Sequence, residues 1–272
     1  MLGARIAYSA TLIAAAVFLS SCGGGGGVPR DSRAEWRDRA EAKCMASGKV
    51  RASPYVTQVS SVRGRSACGI LAPLRVSAAL GGRVRVSPPA TIGCPMTAAL
   101  DRWIHNSVQR AAMRQFRQPV VELKQISSYS CRGRNGKTTG KLSEHSFGNA
   151  LDIAGFKLAD GRTITVVKGW WRGSRAEKAF LREAFAGACR EFYTVLGPGS
   201  DRAHYNHFHV DLLVTNVRKS GKHYCRPQPK RDLFVAAEDD DPASTASIKP
   251  IPFTGPPDSG SQMPAFTLGP SE

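Results

Sequence analysis

The stretch SEHSFGNALDIAGF, residues 143–156, sets the reading of the whole chain. Its second half, Ala150 to Phe156, is a short apolar run of strand length, and Asp152 sits inside it. Its first half carries His145, and Gly148 stands between the two. Glycine accepts backbone conformations closed to other residues, so the chain can turn there and let His145 and Asp152 converge. A side chain that is to bind a metal needs a rigid backbone behind it, and a strand supplies one.

The surroundings supply the rest of a sheet and its covering helices. Ser174-Arg-Ala-Glu177 has the pattern of a capping box, in which Ser and Glu satisfy free N–H groups at a helix start. The helix it opens has an apolar stripe through Phe180, Leu181, Ala184, Phe185, Ala188, Phe192 and Val195, and Gly197-Pro198 is expected to stop it. Ser32-Arg-Ala-Glu35 has the same capping pattern. Another helix is expected from about Pro95, with Met96, Leu100, Trp103, Ile104, Val108, Ala111 and Phe116 as its buried stripe and Pro119 as its end. Strands are expected at Arg83–Ser87, Val120–Tyr129, Thr163–Val167 and His207–Val214. Trp170-Trp171 follows the third of these and reads as core, with the lining of a substrate groove as the alternative. Strands and helices do not alternate regularly, so the expected class is α+β, an antiparallel sheet with flanking helices.

Three of the six histidines fall in His204-Tyr-Asn-His207-Phe-His209, roughly 50 residues after Asp152. Strand alternation would put His207 and His209 on one face. Catalytic zinc sites typically combine three protein ligands with an open position, and this chain offers that chemistry in two short motifs. His105, in a helix, and His223, near the end of the domain, carry no such pattern.

The ends of the chain speak to compartment. Residues 1–21 hold one charge, Arg5, then an apolar run from Ile6 to Phe18 and Leu19-Ser20-Ser21. The run is shorter than the about 20 residues a spanning helix needs and has the form of a secretory signal. Leu-Ser-Ser-Cys22 resembles the lipobox of bacterial lipoproteins, which implies lipid on Cys22, with residues 22–31 as a glycine-rich tether. Beyond Cys22 an even set remains: Cys44, Cys68, Cys94, Cys131, Cys189 and Cys225. In an exported chain that predicts three disulfides, of unspecified connectivity. Residues 233–272 hold six acids and one lysine, lack periodicity and are expected to be disordered. The remaining body, about residues 32–232, is strongly basic within a chain of net charge +17. Export and the lack of any nucleic-acid motif exclude the nucleic-acid reading of that charge; bacterial wall and membrane surfaces are the fitting anionic partners.

Ser143, His145, Gly148, Ala150 and Asp152 match the first motif of the zinc metallopeptidases grouped with lysostaphin, D-alanyl-D-alanine carboxypeptidases and hedgehog domains. From about Cys44 to Leu213 the chain resembles the extensin-like C-terminal domain family of that group. The resemblance runs through Cys94, Tyr129-Ser-Cys-Arg132, Ser143–Phe156, Val195-Leu-Gly-Pro198 and His204–Leu212. It implies a hedgehog/D-Ala-D-Ala peptidase-like fold with Zn2+ held by His145, Asp152 and His209. The carboxypeptidase branch commonly has a Glu base where His204 stands, whereas penicillin-insensitive murein endopeptidases are similar to this chain in having His-x-x-His-x-His. His204 and His207 are therefore assigned jointly to proton transfer, a task a neutral imidazole performs near pH 7. Arg132, with Arg134 as its rival, falls where related enzymes steady a substrate carboxylate or oxyanion. Ser143 is expected to shape the turn. The expected function is hydrolysis of amide bonds in peptidoglycan peptides, as cross-link endopeptidase or D-alanyl carboxypeptidase. The alternative is a zinc-containing wall-binding module without activity.

Overall fold

A computed structural model describes residues 33–214 and 223–230. The expected signal segment, Cys22, the expected tether and the tail expected to be disordered lie outside the described residues. The chain runs α1 (Glu35–Ala46), β1 (Val56–Gln58), β2 (Val62–Arg63), β3 (Gly69–Ile70), β4 (Leu74–Ala79) and β5 (Val84–Ile92). Then come α2 (Cys94–Trp103), a π-helical turn (Ile104–Val108), α3 (Gln109–Phe116), β6 (Val120–Ser127) and β7 (Ala150–Leu158). The second half holds β8 (Thr163–Thr165), α4 (Val166–Arg172), α5 (Arg175–Glu191), β9 (Thr194–Leu196), β10 (Phe208–Asp211) and β11 (Tyr224–Arg226). Among the described residues no helix is long and apolar enough to cross a membrane.

Nine strands form one sheet in the order β1-β4-β5-β6-β7-β10-β9-β11, with β8 against β7. The pairing is mainly antiparallel, in keeping with the α+β expectation. β5–β6 is parallel because the α2–α3 crossover joins them, and β9–β11 is the other parallel pair. One face of the sheet is sealed by helices. Met96, Leu100, Trp103 and Ile104 from the first helical run and Phe180, Leu181 and Phe185 from α5 meet Leu123, Ile153, Phe156 and Val210 of the strands. The capping box at Ser174 is formed on both sides, which fixes where α5 begins.

Four sequence expectations are corrected. The first helix is capped at Ala34 with no side-chain bond, so the Ser32 box is not its start; Ser32 itself lies outside the described residues. The helix from Ser174 ends at Glu191, not at Gly197-Pro198. Phe192 turns extended and Val195 pairs with Val210 in the sheet, which buries it without helical continuation. The strand expected over Thr163–Val167 stops at Thr165, and α4 carries the tryptophan pair. Trp170 is buried against Phe185 and Phe208, while Trp171 is 59% exposed. The strand expected from His207 begins at Phe208 and ends at Asp211.

All six cysteines beyond Cys22 are bridged: Cys44–Cys94, Cys68–Cys131 and Cys189–Cys225. The first ties α1 to α2, the second ties the β2–β3 hairpin to the segment before Arg132, and the third ties α5 to β11.

Candidate metal centre

The centre lies on the sheet face that the helices leave open. Leu151, Ile153, Phe208 and Val210 point into the core, so alternation sends Asp152 and His209 to the other face. The β7–β10 register makes them direct partners, His209 across from Asp152. On its other edge β7 sets Asp152 across from Ser127, beyond register shifts in β6. Such irregularities commonly re-aim side chains beside functional sites.

His145 reaches the same point from the 3-10 turn Glu144–Phe147. Ser143 caps that turn, its Oγ accepting from the His145 N–H at 3.4 Å. Gly148 ends it at φ 62°, in the left-handed region, and its carbonyl accepts from the Gly93 N–H. A Cβ at Gly148 would stand 2.2 Å from Ile70 Cδ1, so a side chain there would have to displace Ile70 as well as adopt positive φ.

Three donor atoms converge. His145 Nε2 is 3.1 Å from Asp152 Oδ1 and 3.2 Å from His209 Nδ1, and His209 Nδ1 is 2.9 Å from Asp152 Oδ1. Candidate ligand atoms of His145, Asp152 and His209 all fall within 4.8 Å of one another, and all three residues are buried.

The outer ring nitrogens decide whether this set fits a cation. His145 Nδ1 is 2.6 Å from the Ser128 carbonyl, which can only accept, so the proton sits there and the Nε2 lone pair faces the centre. His209 Nε2–H donates to Asp211 Oδ2 at 3.1 Å, leaving Nδ1 to face the centre. Two lone pairs and a carboxylate aimed at one point, with backbone or carboxylate partners behind both imidazoles, is the arrangement that metal sites require. The residues fit a divalent ion with nitrogen and oxygen ligands.

Electrostatics agree with the geometry. Burial opposes the charge on Asp152, yet the three imidazoles around it hold its carboxyl well below the usual range. Burial would lower His209, but hydrogen bonds to Asp152 and Asp211 outweigh it and push the imidazole up to about 10. That proton lies where these three residues would hold a cation.

His204 stands beside this group, its ring centroid 5.6 Å from that of His209. Its Nδ1–H donates to Asp201 at 2.7 Å, which leaves Nε2 as a free acceptor. Burial lowers its pKa despite Asp201, so the ring is neutral near pH 7. His207 packs against His204, with Nδ1 on Asn206 at 2.8 Å and Nε2 3.5 Å from Asp152. Arg132 reaches Asp152 Oδ2 at 3.5 Å and donates to Ser127 Oγ at 3.4 Å. Its rival Arg134 is exposed. Both arginines and all three histidines of the second motif line one cleft of about 380 Å³. His105 and His223 are exposed and line no part of it. Trp171, the exposed member of the tryptophan pair, is likewise not among its lining residues.

Sequence reasoning missed Asp211 and Asp201. Both were within reach of pattern: Asp211 is two residues past His209 on the same strand, hence on the same face, and Asp201 is one turn before His204. It also missed Glu144, a buried carboxylate adjoining His145.

A family model described as "Extensin-like protein C-terminus" matches residues 42–226. No curated protein and no solved structure matches the chain.

Proposed function

We propose that this chain, which belongs to the extensin-like protein C-terminus family, is a zinc-dependent peptidase that hydrolyses amide bonds in peptidoglycan peptides. The observation that carries the reading is the convergence of His145, Asp152 and His209 beside a neutral, carboxylate-oriented His204. An inert structural ion would need the three ligands but not that neighbour. The reading includes kinship with the lysostaphin, D-alanyl-D-alanine carboxypeptidase and hedgehog group, supported by the motif from Ser143 to Asp152.

His145 Nε2, Asp152 and His209 Nδ1 would hold the ion. Zinc, when bound, polarises a scissile carbonyl and eases deprotonation of the attacking water. His204 supplies a base: Asp201 fixes the proton on Nδ1, so Nε2 can take a proton from water and return it to the leaving amine. His207, hydrogen-bonded through Nδ1 to Asn206, shares that duty. Arg132 offers a guanidinium at the cleft for an oxyanion or substrate carboxylate.

The proposed setting is the periplasmic side of a bacterial envelope, with lipid on Cys22 as anchor. The N-terminal sequence pattern supports it, as do the three disulfides, which persist in oxidising compartments. The basic body would favour an anionic wall.

The test is mass analysis of murein fragments incubated with the zinc-loaded protein, with a chelator arm. His204→Ala and His207→Ala should keep metal and still bind murein, while at least one loses roughly 10²-fold or more in turnover. A wild type that binds zinc and murein but releases no peptide product refutes the peptidase. The inactive wall-binding module would then stand.

A further inference from the structure

Helix α1 packs Cys44 and Met45 against the core, but the residues it buries most fully are charged. Its two buried residues are Arg37 and Glu41. Glu41 is engaged with Arg33 and the backbone N–H groups of Leu71 and Ala72. Arg37 reaches further, to the turn that carries His145.

Arg37 Nη2 donates to Glu144 Oε1 at 2.5 Å, with side chains 10% and 3% exposed. The guanidinium is 3.9 Å from the ring centroid of Phe147 and 4.4 Å from that of Trp36. The second Glu144 oxygen accepts from Asn149 Nδ2 at 2.7 Å, and the Glu144 carbonyl accepts from the Asn149 N–H at 3.1 Å. One side chain of α1 thus grips three residues of a single turn: Glu144 and Phe147 directly, and Asn149 through Glu144. His145 lies inside the grip. Helix α1 is itself held by the Cys44–Cys94 bridge, next to Gly93, whose N–H binds the Gly148 carbonyl at the other end of the turn.

From this geometry we infer that Arg37 is a positioning residue for the metal ligand His145, acting through Glu144. The inference rests on the reading of His145 as a ligand. Without Arg37 the Glu144 carboxylate is left buried without its cation, and a buried unpaired charge is not tolerated in place. The carboxylate then moves toward the water of the cleft that Glu144 lines, and the turn shifts with it, His145 being the next residue. The His145 ring is held from outside the centre by the Ser128 carbonyl and, more loosely, by Ser127 Oγ, so rotation of the turn strains these contacts and carries Nε2 away from Asp152 and His209. Removing both charges takes away the reason to rotate.

The experiment compares Zn2+ and Co2+ affinity of the full chain, together with the visible absorption of bound Co2+, in wild type, Arg37→Met, Glu144→Gln and the double variant. Measurements are made at a temperature where each variant is folded. Arg37→Met should lose about 10–100-fold in affinity, the scale for outer partners of metal ligands, and the Co2+ spectrum should change. The double variant should recover to within about threefold of wild type, since the two sites couple. If Arg37→Met melts lower yet binds metal as wild type does, Arg37 serves stability alone and the inference fails. It fails too if the double variant binds no better than Arg37→Met. Should Arg37→Met not fold, Glu144→Gln against the double variant makes the same comparison: tighter binding by the double variant supports the inference, equal or weaker binding overturns it. His209→Ala serves as the separate control, because a wild type that binds no better than His209→Ala refutes the metal reading itself.

Discussion

The proton on His209 gives the sharpest prediction. In the metal-free protein this imidazole lies between two carboxylates, 2.9 Å from Asp152 and 3.1 Å from Asp211. Burial works against its charge, but the two acids prevail and raise its pKa to about 10, from 6.5. Below about pH 6.5 the folded and unfolded chains both carry the proton, and the pairing contributes in full. Between there and about pH 10 the unfolded chain has lost it while the folded chain keeps it, so the contribution falls by about 1.4 kcal/mol per pH unit. Over the whole interval the loss is on the order of 5 kcal/mol. The metal-free protein should therefore melt at steadily lower temperature from about pH 7 to pH 9. A zinc ion held by these residues would have to expel the same proton. At about pH 7.5 the expulsion costs on the order of 3 kcal/mol, and apparent zinc affinity should rise about tenfold per pH unit. Calorimetric zinc titration in two buffers of different ionisation enthalpy should find at least about one proton released per ion. Asp211→Asn removes one of the two carboxylates, so its proton release should fade at a lower pH than in wild type. No release near pH 7.5 in wild type, together with a flat melting profile, would refute the reasoning.

Further outcomes follow from the ligand set and the scaffold. His209→Ala should lose most of the bound zinc while His105→Ala, exposed and remote from the cleft, keeps about one ion per chain by elemental analysis. Thiol titration of denatured, unreduced protein from an oxidising compartment should find almost no free thiol at the six bridged cysteines. A reductant should lower the melting temperature clearly, since a native bridge is typically worth about 2–5 kcal/mol. Gly148→Ala should cost about 1–3 kcal/mol in denaturant unfolding, because a methyl there combines positive φ with a clash against buried Ile70. Stability equal to wild type would show that the turn can relax.

The core of α5 and the strands β5, β6, β7 and β10 were legible in the chain, because each rests on signals carried by neighbouring residues. The Ser174–Glu177 box satisfies N–H groups one turn away. The apolar period from Met96 to Phe116 describes one face of one helical run, and the period does not register the π turn inside it. The end of α5 was misjudged at Val195 because its apolar side chain suits a helix stripe and a strand equally. Only the presence of Val210 across the sheet chooses between them. The Thr163–Val167 run failed likewise, since two β-branched residues that read as strand by themselves begin α4 once Trp170 has a pocket between Phe185 and Phe208.

For the candidate site the division is similar. The sequence by itself determined which side chains have the chemistry: His145 and Asp152 around a glycine turn, three histidines in the second motif, and an even set of cysteines. Tertiary structure decided what they do together. The β7–β10 register brings His209 level with Asp152, and a shift of one residue would have sent it into the core. Which cysteines pair depends on distances between elements 36 to 63 residues apart in the chain. The partners that orient the imidazoles are a carbonyl at Ser128 and carboxylates at Asp201 and Asp211, groups common in any sequence and distinguished only by where they end up. Arg37 and Glu144 are 107 residues apart, and nothing in either neighbourhood announces the other. Local propensity and spacing act over a few residues and can be read in order. Register, disulfide pairing and the matching of buried charges are fixed by the whole fold, because burial makes an unmatched partner costly only after the chain has closed around it.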